Sequence, residues 1–560
     1  MSISPRSPSS RLRLLCRVGV VAWLAWLPIA GSAAEVPAPQ AAETRDVILL
    51  LEQGPLHLRL HVAVGGQNPA AARRAGVTRL FAELDSNRDG KLSREEAQRS
   101  PLFREKQRPG AEKFLQSIGA RLTLSPRDVE RKFEQYGGET VIYRQNTTTS
   151  DNDTAVFKLL DEDTNGVVDE NEMFNAVDLL LARDDDDDEC VTLEEVAPPR
   201  EPSAAEMLTG VPTPPPAAST VADLLRDTHQ TLLPAQLLQK YDRDQDRKLS
   251  AAELGWSPER VATCDADRDG RLSLKELSGL HRSPVDAELA VDVVRPAEGS
   301  MLRLLSATGE RSDGGRYSDL ATITLPSAVV SFSAREVDPY EASMALAMRT
   351  FNELDQDQNG YLDREESMLR ERFARGLFDQ IDADGDDKIF GDEMRAFIHS
   401  RGEPVANTCQ VTVYDDGAGF FSALDANGDR RISMREMRYA NKTLTGMQRD
   451  ADPGLGETEP ARRYRIEFVR GVFNPFGSPD RPADPQQPGV VAAAKPRPIG
   501  PIWFQRWDRN NDGDITWREF LGPRDAFDTL DADRDELLDP QEAAAAVSLE
   551  RRQPSTAAGP

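Results

Sequence analysis

Asp85-Ser86-Asn87-Arg88-Asp89-Gly90-Lys91-Leu92-Ser93-Arg94-Glu95-Glu96 holds the pattern from which the rest of the chain is read. Acidic or amide side chains stand first, third and fifth, an apolar residue eighth and Glu twelfth. The frame recurs from Asp161, Asp184, Asp242, Asp265, Asp355, Asp382, Asp425, Asp508 and Asp531, so there are ten copies; each is named below by its first residue number. Side chains on alternate residues of a tight loop converge on one point, and a hard divalent cation such as calcium takes six to eight oxygens at about 2.3–2.6 Å. The seventh residue adds its backbone carbonyl and the closing Glu adds two oxygens. The eighth residue is Leu92, Val168, Val191, Leu249, Leu272, Leu362, Ile389, Ile432, Ile515 or Leu538, apolar every time. Acidity alone does not require that; a short strand paired with a neighbouring loop does.

The ligand sets at positions one, three, five, seven and twelve follow directly. They are Asp85, Asn87, Asp89, Lys91 and Glu96; Asp161, Asp163, Asn165, Val167 and Glu172; Asp184, Asp186, Asp188, Cys190 and Glu195; Asp242, Asp244, Asp246, Lys248 and Glu253; and Asp265, Asp267, Asp269, Arg271 and Glu276. The second five are Asp355, Asp357, Asn359, Tyr361 and Glu366; Asp382, Asp384, Asp386, Lys388 and Glu393; Asp425, Asn427, Asp429, Arg431 and Glu436; Asp508, Asn510, Asp512, Asp514 and Glu519; and Asp531, Asp533, Asp535, Leu537 and Glu542. The segments entering the loops carry an apolar pair, such as Phe81 and Leu84, Phe157 and Leu160, or Phe421 and Leu424. Loops and entering helices together resemble the EF-hand (calmodulin-type) superfamily and its signature D-x-[DN]-x-[DN]-G-x5-E. Dockerin repeats also use such loops but usually close on Asp. The chain resembles secreted bacterial proteins with many EF-hand loops. That resemblance implies a mainly α fold of tandem helix–loop–helix modules with short β-hairpins, and Ca2+ as the bound ion.

Position six departs from the signature in half the loops. Gly90, Gly166, Gly270, Gly360 and Gly513 satisfy it, whereas Glu189, Arg247, Asp387, Arg430 and Glu536 do not. A positive φ there costs a residue with a Cβ roughly 1–2 kcal/mol. Two affinity classes are expected, the glycine loops being tighter.

At 560 residues the chain is long enough for several domains, and 39% hydrophobic content with 6% aromatics makes each module's core modest. The formal charge is -27, and residues 1–34 carry four arginines and no acid, so cleavage after Ala34 would leave -31. That excess of acid argues against nucleic acid as a partner. Ten calcium ions would neutralise most of it. Four arginines, the apolar run 18–30 and Gly31-Ser32-Ala33-Ala34 read as a secretory signal peptide, placing the protein outside the cytoplasm, periplasmic or at the cell surface. No later segment is long enough to cross a bilayer. Cys190, Cys264 and Cys409 then remain; one disulfide is possible and none is demanded.

Loops 85, 161, 242 and 265 recur at 355, 425, 508 and 531, offsets of 270, 264, 266 and 266, so the chain reads as two homologous halves. Loop 382 should match a degenerate site near Gly119, and loop 184 one near Asp450. Close spacing pairs 161 with 184, 242 with 265, 355 with 382 and 508 with 531. The division is a signal peptide 1–34, a hairpin-plus-loop module 45–135, a loop pair 136–196, a Pro-rich linker 197–219 and a pair 220–283. The second half repeats this as 286–402, 403–473, a linker 474–501, a pair 502–550 and a disordered tail 551–560. Strands are expected at 47–51 and 56–64, at 320–325 and 328–334, and at 140–143 and 411–414.

Catalytic motifs are missing from the sequence: there is no G-x-S-x-G, no H-E-x-x-H and no phosphate-cradling loop. His57 and His61 share a strand face, but without a third ligand they read as ordinary strand positions. The expected protein is not an enzyme but a secreted, calcium-stabilised scaffold, surface component or ion reservoir. A protein or polysaccharide partner is not specified by the sequence. Two alternatives stay open: a calcium sensor that captures a partner through an apolar groove, and a calcium-stabilised enzyme or carbohydrate-binding protein with its site in the β segments.

Overall fold

The run Val47-Ile48-Leu49-Leu50-Leu51 lacks polar alternation, the mark of a strand covered on both faces. In the computed structural model it lies in β1 (Glu43–Leu51), which turns through Glu52 and Gln53 into β2 (Gly54–Ala63) with Val47 opposite Leu58. Val47, Leu49 and Leu51 enter one large core, while Ile48 and Leu50 enter another with Tyr241, Leu249 and Leu272 of the 242/265 loop pair. The Tyr241 hydroxyl donates to the Leu51 carbonyl at 2.6 Å, and the Trp256 indole to that of Pro55 at 3.2 Å. Backbones also meet there: a Cβ on Gly54, at φ +138°, would lie 2.0 Å from the Leu254 carbonyl oxygen.

The structure describes residues 42–98, 123–146, 153–196, 222–225, 233–280, 283–297, 299–313, 319–325, 328–367, 377–448, 454–457, 460–472 and 500–552. The expected signal segment, the linker 197–219, nearly all of the linker 474–501, the surroundings of Gly119 and Asp450 and the tail from residue 553 lie outside these residues.

Further strands are β3 (Val141–Asn146), β4 (Ala222–Leu225), β5 (Ala287–Asp292), β6 (Leu302–Ala307), β7 (Glu310–Asp313), β8 (Leu320–Thr324), β9 (Ala328–Arg335), β10 (Cys409–Gly417) and β11 (Arg462–Arg470). They form a five-stranded sheet in the order β6-β5-β2-β1-β4 and a six-stranded sheet in the order β7-β8-β9-β11-β10-β3. Leu58, Leu60, Leu289, Val330, Phe332, Val411, Ile466 and Phe468 join both sheets in one core. The fold is therefore mixed α/β with EF-hand motifs, not mainly α. In β11, Tyr464, Ile466 and Phe468 face this core and alternate with Arg463, Arg465 and Glu467, a period-two signal that the sequence reading passed over.

Each half contributes a hairpin whose second strand runs parallel to a distant strand, β2 beside β5 and β9 beside β11. The halves are nevertheless interleaved. Strand β3 of the first half pairs in parallel with β10 of the second, Val141 opposite Cys409.

Interleaving is deepest at the middle loops. Helix Glu170–Leu181, capped by Asp169, has 12 residues and spans about 18 Å, with loop 161 at one end and loop 184 at the other. A continuous helix of that length keeps its two loops apart. Helix Met434–Thr445, equally unbroken, packs beside it. Loop 184 thus pairs with loop 425, Val191 opposite Ile432, and loop 161 with Gly454–Gly456, Val168 opposite Leu455. The expected 161/184 pair does not form. Phe157, Met173 and Leu180 share a core with Phe420, Met437 and Leu444 of the other half, and the Phe157 and Phe420 rings are 5.3 Å apart.

Loop 242 behaves otherwise because its exit helix is broken. Gly255 sits in the left-handed conformation at φ 61°, and Ser257 caps a new helix, Pro258–Cys264, so the chain folds back and Leu249 meets Leu272. Leu362 likewise faces Ile389, and Ile515 faces Leu538. Leu92 pairs with Leu124, which puts Leu124 in the eighth position of the degenerate site near Gly119. The Ser125 N–H donates to Asp128 Oδ2 at 2.9 Å, copying the bond from position nine to position twelve of an intact loop.

Candidate metal centres

Three hydrogen bonds build each loop around its acidic frame. In loop 85 the Gly90 N–H donates to Asp85 Oδ2 at 2.9 Å, the Lys91 N–H to Asp89 Oδ1 at 2.8 Å and the Ser93 N–H to Glu96 Oε2 at 2.9 Å. All nine other loops repeat the bond from position six to one. They repeat the bond from seven to five. They repeat the bond from nine to twelve as well. The ten apolar residues at position eight are all buried at 0% exposure, so every loop is nailed to a core next to its ligands.

Position six has a positive φ in all ten loops, from 61° to 90°, whether or not it is glycine. Position four does too: Arg88, Thr164, Asp187, Gln245, Arg268, Gln358, Asn511 and Arg534 lie between 56° and 62°, with Gly385 and Gly428 completing the set. The second left-handed residue was missed in the sequence, where only those two glycines and Asn511 hint at it. A Cβ added to Gly90, Gly166, Gly270, Gly360 or Gly513 would meet nothing within 4 Å. The penalty at the other five loops is therefore φ strain alone. Glu536→Gly is expected to stabilise the calcium-loaded protein by about 1 kcal/mol. Denaturant melts at saturating calcium check this; an unchanged or lower midpoint refutes it.

The oxygen sets fit a calcium ion. Carboxylate oxygens of Asp161, Asp163 and Glu172 lie within 4.8 Å of one another, as do those of Asp184, Asp186 and Glu195, of Asp242, Asp244 and Asp246, of Asp265, Asp267 and Asp269, and of Asp355, Asp357 and Glu366. Ligands on opposite sides of one calcium stand about 4.6–5.2 Å apart. Asp508 Oδ1 is buried in its loop without a hydrogen-bond partner, an oxygen with capacity for a cation.

Burial sets the electrostatics, and it differs between loops. It pushes Asp512 up to about 8, Glu519 up to about 7 and Asp508 up to about 6, and with the charge of Asp429 it pushes Glu436 up to about 7. Asp425 is raised well above the usual carboxylate range by burial, then by Asp429 and Glu436. In loop 265, by contrast, the Ser273 hydroxyl and N–H hold Glu276 down at about 2. A raised pKa means that the proton is held up to neutral pH, so calcium must displace it. Affinity at loop 508 is expected to fall as pH drops from 8 to 6, while the response to Glu276 in loop 265 is flat over that range. Calcium titration in buffers of different ionisation enthalpy reads the released protons; no proton release at loop 508 near pH 7 would refute the assignment.

His57 Nδ1 lies 3.1 Å from the Ser283 hydroxyl and Nε2 lies 3.2 Å from Asp46, while His61 Nε2 lies 2.6 Å from Glu288. Each histidine thus ties β2 to its neighbours. Cys190, Cys264 and Cys409 are all free thiols, so the one possible disulfide is not made.

Residues 77–99, 348–366 and 502–521 match the family model described as EF hand. These segments hold loops 85, 355 and 508, each a glycine loop with its entering helix. Comparisons with curated proteins and with solved structures found no match. No helix among the described residues is long and apolar enough to cross a membrane. The chain carries repeated EF-hand motifs, and its EF-hand loops bind calcium.

Proposed function

We propose that the protein is an exported calcium-binding scaffold or surface component whose loops stiffen a mixed α/β body, with ion storage as a consequence of their number. The observation that carries this reading is the three-bond frame repeated in ten loops, each anchored by a buried position-eight residue. Such loops hold the modules of one body together, and loops 161, 184 and 425 pair across the halves. Export rests on the arginine-rich start, the short apolar run and the small-residue exit of residues 1–34. No catalytic role is proposed. Equilibrium dialysis of the native protein is expected to find about ten calcium ions per chain. N-terminal sequencing is expected to begin near Glu35, and intact Met1 in a cytosolic fraction would sink the export claim.

One observation favours a sensor as the second reading. A cleft of about 460 Å³ in the C-terminal pair is lined by Trp503, Trp507, Phe520 and Leu530. A calcium-dependent rise in apolar dye binding would support it, and a flat response would leave the scaffold.

A further inference from the structure

We propose that loops 184 and 508, which belong to different pairs, bind their ions cooperatively, linked by the Asp188–Glu189 peptide and by the side chains of Asn510 and Thr516. The inference rests on the calcium reading of the loops. Loop 184 pairs with loop 425, Val191 opposite Ile432, and loop 508 with loop 531, Ile515 opposite Leu538, so the contact between 184 and 508 is not a shared strand pair. Side chains make it instead.

Asn510 stands at position three of loop 508. An amide nitrogen with two hydrogens does not ligate a hard cation, so Oδ1 is the one side-chain atom with which Asn510 can hold an ion. Its orientation is fixed by its partners. Oδ1 accepts the Asp512 N–H at 3.1 Å, while Nδ2 donates to the Asp188 carbonyl at 2.9 Å and to Asp512 Oδ2 at 3.2 Å. Turned over, the amide would set hydrogens against the Asp512 N–H and oxygen against the Asp188 carbonyl. The position-three amides Asn87 and Asn427 also reach position five of their own loops, at 3.3 and 3.1 Å. Asn510 adds a bond into another loop.

The accepting carbonyl belongs to the peptide that joins Asp188 to Glu189. The N–H of that peptide donates to Asp184 Oδ2 at 2.9 Å, and a planar trans peptide points its carbonyl the opposite way. One rigid plane thus has Asp184 on its inner side and Asn510 on its outer side. Asp184 is grouped with Asp186 and Glu195 for an ion, so an ion in loop 184 fixes Asp184, and Asp184 holds the plane that presents an acceptor to Asn510. An ion in loop 508 fixes Asn510 from the other end.

Glu189 supplies a second link. Its side chain is buried, accepts the Thr516 hydroxyl and lies 3.6 Å from Arg518 Nε. Thr516 is at position nine of loop 508, and its N–H donates to Oε2 of the closing Glu519 at 3.2 Å. Glycine at position six of loop 184 would spare the φ strain but forfeit this acceptor, which gives the departure from the signature a use. Basic side chains span the junction as well: Arg431 donates to the Asn510 carbonyl, Arg435 to Asp514 and Asp535, and Arg438 and Arg518 pair with Glu536 and Glu189. They offset repulsion among acidic loops, and they stay in place in every variant below. Linkage makes the coupling equal in both directions, and one neutral hydrogen bond amounts to about fivefold.

The test is hydrogen exchange of the full chain across a calcium titration, read by peptide mass spectrometry, which gives loops 184 and 508 separate midpoints. Glu195→Gln removes the closing ligand of loop 184. It is expected to raise the calcium midpoint of loop 508 about fivefold, although loop 531, the partner of 508, is untouched. Glu195→Asp, with a shorter arm, is expected to raise it by a smaller factor and carries the test should the glutamine variant not fold. The comparison is then repeated in an Asn510→Asp/Thr516→Val background. Position three keeps an oxygen there, as in the seven loops that have Asp at that position, but both donors to loop 184 are gone. The shift is expected to vanish. Asn510→Asp alone is expected to shrink it and serves should the double variant not fold. Comparing within each background cancels any change in the intrinsic affinity of loop 508, and a merely structural role for the two donors would leave the shift in place. A loop 508 midpoint that ignores Glu195, or a shift that survives in full without the donors, overturns the proposal. Wild-type loops that gain no protection with calcium would overturn the calcium reading itself, whereas protected loops with independent midpoints would overturn the coupling alone.

Discussion

Chelating calcium from the purified protein is expected to lower its thermal midpoint by at least about ten degrees. Each site that binds only the folded form contributes about 2.7 kcal/mol at one hundred times its dissociation constant. The export proposed above would place the sites in the class that binds at about 10⁻⁴ to 10⁻³ M, where millimolar calcium loads them only partly and the stabilisation per site is smaller. Even a third of that figure, repeated over several loops, outweighs the few kcal/mol that separate a folded domain from its unfolded chain. The loss should be greatest in the module that joins loops 161, 184 and 425. Asp425 and Glu436 are buried there beside Asp429, and retaining protons relieves their mutual repulsion when no cation is bound. These raised pKa values also set the sign of the pH dependence. Without metal, that module should lose stability as pH rises through about 7, since the folded form then surrenders protons that it holds more tightly than the unfolded chain. Melts with calcium and with excess chelator, each at pH 6 and pH 8, decide both points. Superimposable melts would remove metal-linked stability from the account.

What the sequence disclosed and what it hid divide along a physical line. Ligand chemistry dictates residue types at fixed spacing, so the ten loops could be read by eye. Their conformation was half legible. Gly90 and its equivalents announce the turn at position six, but Arg88, Gln245 or Arg534 at position four carry no mark of a left-handed backbone. The sheets were legible where turns framed them, as at β1/β2 and β8/β9, and were passed over at β5 and β11, where alternation was the only sign. Loop partnership was the least visible feature. Spacing puts loops 161 and 184 as close as loops 242 and 265, and the difference lies in Gly255 and Pro258, which break one helix while Glu170–Leu181 runs on. The missing breaker in that helix was in plain view. Its consequence, a partner in the other half, becomes apparent only when helix Met434–Thr445 is seen to have the same length. Contacts such as Arg435 with Asp514 join residues that no local pattern connects.

The crossed pairing predicts that the two homologous halves will not fold apart. Cut between Pro284 and Ala287, the first piece keeps loops 161 and 184 but loses Ile432 and Leu455, the residues opposite their position-eight anchors. It also loses β5, which flanks β2, and β10, which carries β3. The second piece loses β3 and the partner of loop 425. Separately expressed pieces are expected to be insoluble or to lack cooperative melts, and co-expression to yield a single complex that melts as one unit. A point substitution asks the same question without cutting. Phe420 is fully buried between the halves, and truncating such a phenylalanine costs about 3–5 kcal/mol. If the halves are one body, Phe420→Ala should loosen loops 161 and 184 together with loop 425, which amide exchange at Gly166, Glu189 and Arg430 would register. Two soluble, independently melting halves, or a Phe420→Ala effect confined to residues 403–473, would mean that the crossed pairing does not hold the molecule together.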